Sequence, residues 1–392
     1  MCPDALISHS SSIGLPYSPT TPIENARREA APAERIRLRQ SRLTGRAEAL
    51  AQLLRRSVIG QSEALDQLLP VLARLDSGLR DPNRPLLTAL LLGPTGVGKT
   101  ETARALARGL FGRASCLTRI DCQEYAHGHE LAKLIGSPPG YVGHRVEPLL
   151  SQRNLDAGHV KALESGTHDT VPAKEDDEGY LSILLFDEVE KAHPTLWNGL
   201  LHVLEEGELT LGDNSKTSFR RTILLMTSNV GSRELDRLAA PALGFGAALQ
   251  DNAGSDARSA VLAAAREAFP AEFLNRLDLQ LVYGSLGREH LHRILDLQLD
   301  ALSRRLMIAG APLLVRLTRS ARELIVDRGD DPRYGARPLR RAVETLLADP
   351  LASLLAAGEL EAGDLVDVEA ESQLAEELAF FRGSRSAVEV VV

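Results

Sequence analysis

Leu86 to Leu106 reads LLTALLLGPTGVGKTETARAL, an aliphatic run that gives way to a glycine-rich turn and then to a helical pattern. The turn satisfies G-x-x-x-x-G-K-[ST] through Gly93, Pro94, Thr95, Gly96, Val97, Gly98, Lys99 and Thr100. Glycines let the backbone curl until successive N–H groups face an anion, and the helix that follows adds its positive end. Lys99 is then placed to reach β- and γ-phosphates and Thr100 to ligate magnesium, with Glu101 next in the helix. The bland alternative is a structural turn between a buried strand and a helix. The same flanking strand and helix are the context that the phosphate reading requires.

Outward from this segment, short aliphatic runs at Leu86–Leu92, Leu117–Asp121, Ser182–Phe186 and Thr222–Thr227 alternate with helical patterns. That alternation predicts an α/β fold with a mostly parallel sheet covered by helices on both faces. Ligands of such sheets bind beyond the carboxyl ends of strands. Two of the runs end in chemistry there. Ile183-Leu184-Leu185-Phe186 is followed by Asp187 and Glu188, adjacent carboxylates able to divide the work: one to hold magnesium, the other to polarise a water. Alone, such a pair is as well explained as a cap for the next helix, and Glu190 and Lys191 beyond it are weaker candidates. Thr227-Ser228-Asn229 closes another run, where Asn229 can hold a water or a phosphate oxygen, although asparagine after a strand is usually turn chemistry.

Composition narrows the field. A chain of 392 residues, 44% hydrophobic and 25% charged, has ample core for two or three domains. Aromatics are only 4% and the net charge is -8, which argues against nucleic acid. Cys2, Cys116 and Cys122 have neither disulfide nor zinc spacing, as suits a reducing, cytoplasmic setting. No apolar run is long enough to span a bilayer, and the start lacks the pattern of a secretory signal. Residues 1–45 read as a flexible tail rich in Ser, Pro and Thr, with a helical pattern emerging between Ala33 and Arg56. Past Tyr283 a long amphipathic helix, Arg288 to Ile308, carries Leu291, Ile294, Leu295, Leu302 and Leu306 in one stripe and opens a second domain.

Five motifs stand in order: Val58-Ile59-Gly60-Gln61, the phosphate loop, Gly136-Ser137-Pro138-Pro139-Gly140-Tyr141-Val142-Gly143, Phe186 to Pro194 (FDEVEKAHP), and Gly335-Ala336-Arg337-Pro338. On these the chain, from Val58 to about Val368, resembles the second ATPase module and C-terminal small domain of the Clp-type AAA+ unfoldases, the family of ClpB, ClpA and ClpC. The resemblance implies a large P-loop domain over 46–283, a small, mostly helical domain over 284–370, and a C-terminal tail over 371–392. It implies ATP and magnesium as cofactors, Val58 and Ile59 beside the adenine, and Glu188, Asn229, Arg276 and Arg337 in catalysis. Asn229 takes the place of the first sensor, Arg337 of the second, and Arg276 of an arginine finger reaching a neighbouring subunit.

Tyr141 and Val142 sit in a loop with a stiff Pro138-Pro139 entry and glycines on either side, a form that can present an aromatic ring for apolar contact with an extended polypeptide. A buried anchor is the competing reading. The family implies a pore loop, polypeptide substrates and a homo-hexameric ring. One phosphate loop implies a single ring. The stretch 150–180 reads as a polar, acidic insertion, with Glu164 to Gly179 an exposed loop. Leu243-Gly244-Phe245 resembles the loop by which protease-coupled relatives dock on a ClpP-like peptidase. The expected function is ATP-driven threading of polypeptide. The alternatives are a nucleotide-dependent assembly or regulatory protein that threads nothing, and the unfoldase subunit of a ClpP-like protease.

Overall fold

In the computed structural model of the chain, which describes residues 45–77, 81–137, 140, 146–166, 180–239, 253–331, 333–370 and 377–383, the strand before the phosphate loop is β1 (Leu87–Leu92). It belongs to a five-stranded sheet with β2 (Thr118–Asp121), β3 (Ser182–Asp187), β6 (Thr222–Ser228) and β7 (Leu279–Val282). The order is β2-β3-β6-β1-β7, and every pairing is parallel. A separate hairpin joins β4 (Glu208–Thr210) to β5 (Lys216–Ser218).

Every residue of β1, β3 and β6 is buried, so these strands read as unbroken apolar runs. The period of two survives in where the side chains go. Leu87, Ala89, Leu91, Ile183, Leu185, Ile223 and Leu225 share a core with the helices Arg46–Ser57, Ser62–Ser77 and Lys99–Phe111. Leu90, Leu92, Leu184, Phe186, Leu224 and Met226 face the helices Pro194–Glu206, Ala253–Ala268 and Ala271–Asn275. Among the described residues, no helix is long and apolar enough to cross a membrane.

Tyr283 ends the sheet. It is wholly buried, its N–H donates to the Leu92 carbonyl at 2.8 Å, and its hydroxyl lies 2.8 Å from Thr102 Oγ1. The helix Arg288–Ile308 follows and buries Leu291, Leu295 and Leu302 in a third core. That core is completed by the helices Arg319–Gly329, Arg337–Val343 and Asp349–Ala356 and by a small sheet. In this sheet β9 (Leu365–Glu369) pairs in parallel with β8 (Leu314–Leu317) and antiparallel with β10 (Ala379–Arg382).

Two expectations need correction. The segment expected to be a tail, 371–392, contributes β10, and Phe380 packs on the small-domain core. Four residues on one edge leave too short a pattern to announce a strand. The stretch 150–180, expected as an insertion, begins with a helix, Gln152–Glu164, that buries Leu155, Gly158, His159 and Ala162. Its inner face holds only two apolar side chains beside a glycine and a histidine, so its composition looks polar. Gly158 is required there, since a Cβ would lie 2.1 Å from the Cys116 carbonyl oxygen. Residues 1–44, 167–179 and 384–392 lie outside the described residues.

Candidate active site

The phosphate loop leaves β1 and enters the helix Lys99–Phe111 with Gly93, Gly96 and Gly98 all at positive φ. At Gly96 the need is doubled: φ is +78°, and a Cβ would stand 2.1 Å from the Tyr334 carbonyl oxygen of the small domain. Ala336 donates its N–H to the Gly96 carbonyl at 3.1 Å. The small domain therefore grips the loop by its backbone. Lys99 is 7% exposed, and its ammonium donates to the carbonyls of Gly93 and Pro94, both at 2.6 Å, and to Asn229 Oδ1 at 2.9 Å. Burial pulls its pKa down to about 8, against the upward pull of the carboxylates of Glu190, Asp187 and Glu188.

Asp187, the last residue of β3, is buried and receives three partners. Thr100 Oγ1 and Thr227 Oγ1 both donate to Oδ1, the former at 3.3 Å, and Arg119 Nη2 pairs with Oδ2 at 2.6 Å. Glu188 adopts φ +56°, a left-handed conformation that a residue with a side chain holds only when its surroundings fix it. They do: its N–H donates to Thr227 Oγ1 at 3.0 Å and its carboxylate accepts from Gln123 Nε2. Asn229, one residue past β6, is set by Glu190, whose Oε1 accepts the Asn229 N–H at 3.0 Å. Thr95 Oγ1 also donates to Asn229 Oδ1, at 3.3 Å. The sheet thus delivers Thr95, Lys99, Thr100, Asp187, Glu188 and Asn229 to one end, beyond the carboxyl termini of β1, β3 and β6.

Beside the loop lies a cavity of about 730 Å³ between the two domains. Val58, Ile59, Leu286 and Ile294 give it apolar wall, while Gly96 to Glu101, Arg337 and Arg340 give it polar and basic wall. Its size suits a nucleotide. Hydroxyl and carboxylate oxygens from Thr100 and Asp187 are the hard donors that magnesium takes, so the residues fit that ion.

Arg276 is not brought to this site. Its guanidinium pairs with Glu205 at 3.0 Å and Glu272 at 2.8 Å and reaches the Leu201 carbonyl at 3.4 Å. Tyr141, Val142, Leu243, Gly244 and Phe245 lie outside the described residues. Sequence reasoning gave no role to Arg119, Gln123 or Thr227. Their only signal is position: Arg119 and Gln123 bracket the end of β2, and Thr227 is the next-to-last residue of β6, the strand beside β3.

Comparison with known proteins places these residues in a family. Residues 84–280 match the AAA domain (Cdc48 subfamily), and residues 286–368 match the C-terminal, D2-small domain of ClpB protein. The chain is 39% identical over 328 residues to the chaperone protein ClpB of Rhizobium meliloti, a match covering 83% of this chain and 33% of that protein. It is 38% identical over 322 residues to the negative regulator of genetic competence ClpC/MecB of Bacillus subtilis, covering 82% and 36% respectively. It spans about a third of the length of these curated relatives. Among solved structures it is similar to the closed state cryoEM reconstruction of Hsp104 with ATPγS and FITC casein, with a TM-score of 0.69 at 26% identity. That match covers 86% of this chain and 52% of the other.

Proposed function

Because the chain belongs to the AAA+ ATPases of the Clp type, we propose that it hydrolyses ATP between its two domains and uses the resulting change of shape to thread polypeptide through a homo-hexameric ring. The observation that carries the reading is the meeting of Lys99, Thr100, Asp187, Glu188 and Asn229 under one phosphate loop, with Arg337 of the small domain lining the same cavity. Val58 and Ile59 flank the adenine. The loop N–H groups and Lys99 would hold the phosphates, and Thr100 and Asp187 would hold magnesium, which when bound there would neutralise phosphate charge. Glu188 takes the proton of the attacking water, Asn229 orients that water, and Arg337 ties the small domain to the γ-phosphate. Arg276, turned away from its own loop, completes the site of the next subunit. The setting is the cytoplasm.

Seating anionic phosphates beside Lys99 favours its ammonium, so nucleotide binding takes up a proton wherever free Lys99 has lost one. Affinity should be level below about pH 8 and fall as pH rises through that value. Equilibrium binding of a fluorescent ADP analogue across this range measures it. Affinity that holds steady up to about pH 10 would contradict the depressed lysine.

Threading is tested with an unstructured fluorescent polypeptide and a tagged folded one. Tyr141→Ala should keep ATP turnover and lose most processing, while Tyr141→Phe, which retains the ring, should keep most of both. Processing spared in both variants removes threading and leaves a nucleotide-driven assembly protein. Adding a ClpP-type peptidase to the same assay tests docking through Leu243, Gly244 and Phe245, with Phe245→Ala as the control.

A further inference from the structure

We propose that Gln61 is a positioning residue that couples the phosphate loop to the hinge between the two domains, so that what the loop holds is transmitted to Gly284. This rests on the nucleotide reading above. Gln61 is 3% exposed and does not line the cavity, so it cannot act by touching a ligand there. A buried side-chain amide must still satisfy its donors and its acceptor. Gln61 does so at two places 187 residues apart in sequence, Val97 and Gly284. Its Nε2 donates to the Gly284 carbonyl at 3.0 Å and to the Val97 carbonyl at 3.2 Å, and its Oε1 accepts the Gly284 N–H at 3.0 Å.

The pairing with Gly284 uses both backbone polar groups of that residue, as a neighbouring strand would. The space beside it is open, since a Cβ at Gly284 would meet no atom within 4 Å. On one side of Gly284, Tyr283 is locked into the large domain. On the other, the small domain's first helix begins at Arg288. Gly284 is therefore where the two bodies can turn, and Gln61 holds it.

The contact with Val97 gives the clasp something to sense. The Val97 carbonyl shares a trans peptide plane with the Gly98 N–H, and the two groups point in opposite directions. An N–H turned toward phosphate turns its carbonyl toward Gln61. The preceding carbonyl, of Gly96, is held by Ala336 of the small domain. Two successive loop carbonyls are thus attached to the hinge and to the small domain, and a rotation of either peptide plane on seating an anion shifts the attachment that its carbonyl makes. Gln61 is the attachment made by a side chain, and so the one that can be removed without altering the loop backbone.

Hydrogen exchange over the segment 283–287, with and without ADP and magnesium, tests this alongside equilibrium ADP affinity. In the unaltered protein ADP should change exchange at this segment. Gln61→Met, which keeps length but no polar atom, should bind ADP within about tenfold of the parent and lose that ADP-dependent difference. Gln61→Ala repeats the test should the methionine variant melt early. A merely structural role would raise exchange equally in both states and preserve the difference, which overturns the proposal. So would loss of ADP binding in both variants, since Gln61 would then be building the loop and not reporting on it. Failure of the unaltered protein to bind ADP strikes the nucleotide reading instead.

Discussion

Glu188→Gln should bind ATP as the parent does and hydrolyse it about 10²–10⁴ times more slowly, whereas Lys99→Ala should fail to retain ATP. The two residues sit in one site but serve different atoms. Lys99 carries a buried ammonium whose partners are loop carbonyls and Asn229, so its removal takes away the charge that answers the phosphates. Glu188 touches none of these groups. Its carboxylate meets Gln123, and its backbone is fixed by Thr227. Glutamine keeps the shape and a hydrogen-bonding oxygen for Gln123 and loses only the basicity that takes a proton from water. Equilibrium ATP binding with single-turnover hydrolysis separates the two effects. Equal loss of binding in both variants would mean that Glu188 holds nucleotide, and the assignment of the base would fall.

Arg276→Ala should leave ATP affinity nearly unchanged and depress hydrolysis by about 10³–10⁵, the range in which arginine fingers act. Among the described residues, no hydrogen bond or ion pair joins Arg276 to the phosphate loop. Its partners, Glu205, Glu272 and the Leu201 carbonyl, hold it beside the helix Pro194–Glu206. Partly exposed pairs of this kind contribute little to stability, so the variant should fold. In the proposed ring its effect would fall on another subunit. Mixing Arg276→Ala with Glu188→Gln discriminates: turnover should reappear in the mixture, because the Glu188 of one variant is completed by the Arg276 of the other in a neighbouring subunit. A mixture as inactive as its two components would place the arginine's action within its own chain.

The candidate site was legible in the sequence wherever its motifs demanded a residue type at a fixed spacing. The loop from Gly93 to Thr100, the Asp187 and Glu188 pair and Asn229 were readable because each follows an apolar strand directly, and a parallel sheet gathers such ends. Side chains that act across long separations left no such mark. Gln61 was visible as part of a motif, but its pairing with Gly284 spans 223 residues and depends on how the hinge packs. Arg119 and Gln123 were silent for the same reason, since only the β2 and β3 pairing brings them to Asp187 and Glu188. In the fold, the central strands were plain and the periphery was not. The helix Gln152–Glu164 hides its inner face behind Gly158 and His159, and β10 is an edge of four residues.

The direction of β3 has a practical consequence. It enters the sheet at Ser182 and reaches the chemistry at Asp187, roughly 17 Å further along at about 3.3 Å per residue. The stretch joining Gly166 to Tyr180 therefore attaches at the entry edge. The Tyr180 end is braced by the helix Gln152–Glu164 that leads into the Gly166 end: Asp156 accepts the Tyr180 N–H at 3.3 Å, and the His159 ring stacks on Tyr180 with centroids 4.7 Å apart. Polypeptide spliced between Gly166 and Tyr180 would hang from fixed anchors on the side of the sheet away from the phosphate loop. A fluorescent module or affinity handle inserted there would let single molecules be held and watched with the phosphate-loop edge left clear.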